Sequence, residues 1–250
     1  MVGIIIAIAI FALLACAGII VLLLYNFGLL SFYHPMKRAK DNQIKVACVG
    51  DSITYGCMIA NWRKNNYPTV LGDLLGENYC VNNFGYTNRT AIKNADYPLV
   101  NEKVYKQSLD FDPDVVVLLL GANDSKENNW DKSAFVADYG EIIRSYLSLK
   151  SSPKIYAVVP TPVFESGEKV LYKLRKDVIE DEVCPCVRSV ATTIGVECVE
   201  TLRICFVDKK ELFADGVHPN AKGSRLFAEK IAEVIKNSYV ISTEVEKSHC

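Results

Sequence analysis

Residues 115–120 read Val-Val-Val-Leu-Leu-Leu, apolar at every position rather than at every second one. A strand with one wet face alternates with a period of two, so an unbroken run suits a central strand of a parallel sheet covered by helices on both faces. Further apolar runs of strand length stand at 44–50, 79–84, 154–159 and 196–199. Between them, residues 67–75, 131–149, 168–193 and 221–235 carry apolar side chains at helical spacing. The alternation predicts an α/β domain on a five-stranded parallel sheet. Pro185 falls inside the third helical pattern and is expected to kink or split it near Cys184.

A second feature lies ahead of this domain. Residues 2–30 contain no Asp, Glu, Lys, Arg or His, and Asn26 is their one strongly polar interruption. As a helix rising about 1.5 Å per residue, the stretch more than covers a hydrocarbon core of about 30 Å. Tyr25, Phe32 and Tyr33 suit an interfacial aromatic belt, and Lys37, Arg38 and Lys40 follow. A cleaved leader would have a basic start and a shorter apolar run, so residues 1–34 are expected to form an uncleaved, single-pass anchor in a lipid bilayer. Residues 35–43 then read as a linker, 44–238 as the folded domain and 239–250 as a frayed polar tail. The basic cluster after the helix favours a cytoplasmic domain.

The formal net charge of -1 offers no basic surplus for a nucleic acid. The nine cysteines are odd in number and lack the spacing of a disulfide scaffold, which favours reduced thiols. Cys184 and Cys186 are too close in sequence for the usual zinc spacing, and no histidine neighbours them.

In an open parallel sheet, ligand-binding loops gather beyond the carboxyl ends of the strands. Four polar motifs fall at such positions: Gly50-Asp51-Ser52-Ile53-Thr54-Tyr55-Gly56, Asn83-Phe84-Gly85, Gly121-Ala122-Asn123-Asp124, and Asp215-Gly216-Val217-His218-Pro219 before the last helix. A serine hydroxyl needs a base to become a nucleophile, and the base needs a third group to orient it. Of three histidines, His34 stands beside the anchor and His249 in the tail, leaving His218 within the domain. Asp215 can bond its second ring nitrogen from the same loop. Ser52, His218 and Asp215 are therefore the candidate triad. The backbone N–H groups of Ser52 and Gly85 and the side-chain NH2 of Asn123 are the candidate donors to a tetrahedral oxyanion.

Together with Asn220 after the last of them, these blocks, in this order, resemble those of the GDSL/SGNH hydrolase family, over about residues 44–235. The resemblance also takes in Asn66-Tyr67-Pro68 and residues 160–164. It implies a three-layer, flavodoxin-like fold and hydrolysis of small acyl esters through an acyl-Ser52, with Gly85 and Asn123 in the oxyanion hole and no metal or organic cofactor. The wording of the blocks is most similar to bacterial members that deacetylate carbohydrates, such as sialate O-acetylesterases and acetylxylan esterases. The implied partner is thus a small-molecule or glycan ester. Such glycans lie mainly outside the cell, in tension with the flanking charge. One departure stands out: where members often carry a second glycine three residues after Gly85, this chain has Asn88, the non-glycine type that best tolerates a left-handed backbone.

Asp51 and Asp124 are read as loop-tying residues. Arg89 either meets a polar substrate or is solvated, and Trp62 and Trp130 either pack or line a sugar surface. Acyl transfer to a sugar hydroxyl and a non-catalytic acyl-glycan-binding module remain the alternative functions.

Overall fold

The computed structural model describes residues 2–167 and 169–248. Five strands, β1 (Ile44–Gly50), β2 (Tyr79–Gly85), β3 (Val115–Leu119), β4 (Lys154–Val158) and β5 (Glu197–Val199), pair in parallel in the order β2-β1-β3-β4-β5. Ten α-helices accompany them among the described residues: α1 (Val2–Asn26), α2 (Ser52–Tyr55), α3 (Trp62–Asn65), α4 (Tyr67–Leu75), α5 (Lys103–Asp110), α6 (Lys132–Leu147), α7 (Lys176–Val178), α8 (Cys184–Ile194), α9 (Thr201–Phe206) and α10 (Ala221–Ser248).

The unbroken apolar run is explained by two cores, one on each face of the sheet. Val115, Val117 and Leu119 face a core completed by Tyr67 and Leu71 of α4, Phe206 of α9, and Phe227 and Ile231 of α10. Val116, Leu118 and Leu120 face the other, with Val104 of α5, Tyr139 and Ile142 of α6, and Val187 of α8. Chain direction across the sheet reverses between β1 and β3, so a crevice opens beyond their carboxyl ends, and Ser52 and Asn123 follow those two strands.

Three expectations need correction. The third helical pattern begins only at Lys176, because Tyr172 and Lys173 take left-handed conformations (φ 62° and 59°); Glu168, its expected first residue, lies outside the described ones. From there the helix reaches Ile194 through a π-helical turn at Ile179–Val183, directly before Cys184 and Pro185. Proline lacks an N–H and crowds the preceding turn, which favours that local widening. The last helix continues to Ser248, so 239–248 is helical backbone and not a frayed tail; His249 and Cys250 lie outside the described residues. Adding a residue to an existing helix closes a hydrogen bond at little cost, and 239–248 contains neither Gly nor Pro. Finally, the expected linker lies against the domain. Lys37 N–H donates to Asn82 Oδ1 (2.8 Å), and Asn82 Nδ2 donates back to Lys37 O (2.9 Å).

α1 is long and apolar enough to cross a membrane: Ile8–Asn26 has a mean hydropathy of 2.9, and none of that window is buried.

Gly85 and Asn83 set how closely α2 approaches the sheet. Asn83 Nδ2 donates to Thr54 O (2.7 Å) in α2 and to Asn66 Oδ1 (3.1 Å), the cap of α4. A Cβ at Gly85 would stand 2.3 Å from Tyr55 N and 2.6 Å from Thr54 C. Gly85→Ala is therefore expected to push α2 away and cost at least about 2 kcal/mol, the usual scale of overpacking. A urea titration reads this as a lower midpoint; an unchanged midpoint would show that α2 tolerates the displacement.

Candidate active site

Ser52 opens α2 directly after β1, and Asp51 caps that helix by accepting the Ile53 N–H (2.9 Å). His218 Nε2 lies 2.9 Å from Ser52 Oγ, and His218 Nδ1 lies 2.7 Å from Asp215 Oδ2. All three candidate triad residues thus form one hydrogen-bonded chain.

The Asp215–His218 turn is built locally. Asp215 Oδ1 accepts the N–H groups of Val217 (2.9 Å) and His218 (2.8 Å), so one carboxylate fixes both the turn and the ring at its end. Gly216 permits the turn with φ 88°, and its carbonyl accepts the Phe164 N–H (2.8 Å), anchoring the loop to the stretch after β4. Burial alone would raise the Asp215 carboxyl. The hydrogen bond and charge of His218, the backbone donors and the Tyr172 hydroxyl outweigh it and hold Asp215 well below the ordinary range.

Tyr172 was not singled out from the sequence. Its hydroxyl donates to Asp215 Oδ2 (2.7 Å), and its ring meets the His218 imidazole edge-on at 5.1 Å. No periodicity marks it, because it sits in an irregular stretch with a left-handed backbone.

The pocket over Ser52 has a volume of about 230 Å³, and its lining includes Asn88, Asn123, Tyr172 and His218, as well as Gly28, Leu29 and Ser31 from the segment after α1. Asn123 Nδ2 is held by Asp51 Oδ2 (3.3 Å) and Arg89 O (3.2 Å). Both contacts are long, so they orient the amide and yield readily to a charged acceptor.

Gly85 does not fit the oxyanion assignment. It is absent from the pocket lining, and its N–H is taken by Asn83 Oδ1 (2.8 Å). Asn88 does line the pocket, with φ 64°, and its N–H makes no hydrogen bond among the described residues; nor does that of Ser52. The glycine-like position in this loop is therefore the one held by Asn88, and Gly85 serves close packing.

Arg89 is neither solvated nor in the pocket lining. It is buried, pairs with Glu102, and lies over the rings of Tyr86 and Tyr97. Trp62 is buried against Tyr55, and the Trp130 indole packs on Phe135 and donates to Glu182 (3.1 Å), so both pack.

Asp124 accepts the N–H groups of Ala91 and Ile92, tying down the loop that carries Asn88. Burial raises the Asp51 and Asp124 carboxyls to about 6 and about 7, against the lowering effect of their backbone donors. Between about pH 4 and those values the folded chain holds protons that the unfolded chain has released, so their contribution to stability declines as pH rises through that window. Asp215 acts oppositely, its contribution being lost only as pH falls below about 4. Asp124→Asn is expected to lose less stability than the parent chain between about pH 5 and pH 8 in urea titrations; equal losses would show Asp124 ionised throughout.

Comparison with known proteins places this geometry in a family. The model of the GDSL-like lipase/acylhydrolase family matches residues 48–226, which hold all four motif blocks described above. An acetylxylan esterase of Xylanibacter ruminicola is 36% identical over 215 residues; the match covers 79% of this chain, which spans only 44% of that esterase. Among solved structures, a carbohydrate acetylesterase from Sinorhizobium meliloti superposes with a TM-score of 0.62 at 17% identity, over 78% of this chain and 99% of the other. An acetyl xylan esterase superposes with a TM-score of 0.61 at 24% identity, over 77% and 100%. These structural likenesses establish the fold, and the matched sequence model establishes membership: this chain belongs to the GDSL-like lipase/acylhydrolase family.

Proposed function

We propose that this chain is a membrane-anchored serine esterase that removes short acyl groups, acetyl foremost, from carbohydrate, with Ser52 as nucleophile. The observation that carries the reading is the continuous contact from Asp215 through His218 to Ser52, at 2.7 and 2.9 Å. Its acetyl-carbohydrate specificity is supported by the acetylxylan esterase at 36% identity. The small pocket, below the roughly 300 Å³ at which drug-sized ligand sites begin, favours short acyl groups. Residues 2–26 supply the anchor.

In this mechanism, Ser52 Oγ attacks the ester carbonyl carbon as His218 Nε2 takes its proton. Asp215 stabilises the imidazolium and fixes the tautomer. The carbonyl oxygen becomes an oxyanion, met by the N–H groups of Ser52 and Asn88 and the Asn123 amide. His218 then protonates the leaving alcohol, and water, deprotonated by the same ring, releases the acid and restores Ser52.

The test is hydrolysis of p-nitrophenyl acetate by the full chain in detergent, because a fragment from Ile44 would lack Gly28, Leu29 and Ser31 of the pocket wall. Ser52→Ala and His218→Ala are expected to lose at least about a thousandfold in kcat/KM, and Asn123→Ala about 10²–10³ in kcat. Activity surviving in Ser52→Ala would remove the proposed nucleophile. Free acetate is counted beside nitrophenol with a sugar present; a shortfall of acetate would indicate transfer to sugar.

Tyr172 is proposed as a positioning residue. Tyr172→Phe is expected to lower kcat about tenfold with KM unchanged, the scale of one hydrogen bond to a charged group. A change confined to KM would show instead that Tyr172 only shapes the pocket.

A further inference from the structure

The segment after α1 is part of the pocket. α1 ends at Asn26, and Gly28, Leu29 and Ser31 line the cavity over Ser52. Residues 27–37 are fastened at several points. Met58 N–H donates to Phe27 O (2.8 Å), Tyr55 OH donates to Leu30 O (2.8 Å), and the His34 ring contacts Tyr55 O (3.0 Å) through Nε2. The Ser31 and Thr87 hydroxyls meet at 2.8 Å, and the Tyr33 ring stacks on Tyr86 at 5.0 Å. Gly28 is a tight joint: a Cβ there would stand 3.1 Å from the Trp62 ring and 3.2 Å from Gly56 O. The exit of the helix is thereby fixed against the catalytic domain.

Lengths then place the pocket. The 25 residues of α1 span about 37 Å at 1.5 Å each, more than a hydrocarbon core of about 30 Å, so its end reaches the headgroup layer. Leu29, three residues on, lies within about 10 Å of that end however extended the chain. The surface around it suits such a depth. Leu29, Phe32, Tyr33 and Met36 are exposed apolar side chains, 41–48% accessible, and the Arg63 guanidinium lies over the Tyr25 and Trp62 rings. Exposed aromatic and aliphatic groups beside a cation are the chemistry of a membrane interface.

We propose that the pocket opens at headgroup level and that its substrate is an acyl ester on a sugar carried by a lipid of the same bilayer, reaching Ser52 by lateral diffusion. This rests on the esterase reading above and on α1 spanning the membrane. An amphiphile confined to the enzyme's own surface is present there at high effective concentration, whereas a soluble polymer must arrive by collision.

The full chain in lipid nanodiscs provides the test. Three acetyl esters are compared: p-nitrophenyl acetate, a water-soluble methyl glucoside acetate, and the same acetylated glucose on a dialkylglycerol, placed either in the enzyme's own discs or in separate ones. Acetate release from the lipid-borne ester in the same disc is expected to exceed, at least tenfold, release from the methyl glucoside at equal total concentration and from the ester in separate discs. Equal rates with p-nitrophenyl acetate turned over normally overturn this inference alone. No turnover of any ester overturns the esterase reading and this inference together. Placement is read separately in the Trp130→Phe chain, whose remaining Trp62 fluorescence is expected to be quenched by a headgroup-labelled nitroxide lipid; absence of quenching overturns the headgroup-level pocket even if the esterase is active.

Discussion

Ser52 and His218 are separated by most of the domain in sequence, and the 2.9 Å contact between them depends on how α10 seats against α4. Ser224, in the first turn of α10, donates to Asn65 O (2.7 Å), the residue before the α4 cap. One helical turn below, Phe227 stacks on Tyr67 with ring centroids 4.2 Å apart, and both side chains are fully buried. Tyr67 in turn meets the Thr54 hydroxyl of α2 at 3.1 Å. A packing interaction between two surface helices therefore fixes His218 relative to Ser52, and a small change in that seating would break the contact while leaving the sheet intact.

A second frame positions the other half of the site. Asn123, Asp51 and Arg89 O form one cluster, and Asp124 fastens the Asn88 loop beside it. Two carboxylates next to one another in a buried site are costly, and that cost is offset by backbone N–H donors on both. The return is an Asn123 held at the pocket wall beside Ser52, its backbone carbonyl also accepting from the Asn129 side chain (3.0 Å). Asp51 and Asp124 thus act through Asn123 and the loops, in keeping with the loop-tying role that their positions in the motifs suggested.

The sheet, its covering helices and the Asp215–His218 pairing were legible because each rests on a local signal: an unbroken apolar run for β3, and an Asp three residues before a His for a turn that closes on itself. The donor from the second loop was misplaced. Gly85 looks like a donor position by residue type, but which N–H is free is decided by tertiary contacts, and Asn83 consumes that one. The oddity of Asn88 was the real signal, since a left-handed asparagine in that loop marks the backbone that faces the pocket. Tyr172 gave no signal, standing in a stretch without period. The expected linker failed for a different reason: polarity reports what a segment can tolerate, not whether a partner such as Asn82 awaits it on the domain.

The central claim is that Ser52, activated by His218, forms a covalent bond to the acyl group. A fluorophosphonate ester captures such a serine in a stable adduct that peptide mass mapping can locate. The account predicts a single adduct on Ser52 in the full chain and none in His218→Ala over the same exposure. An adduct on another serine, or equal labelling of Ser52 without His218, would contradict it.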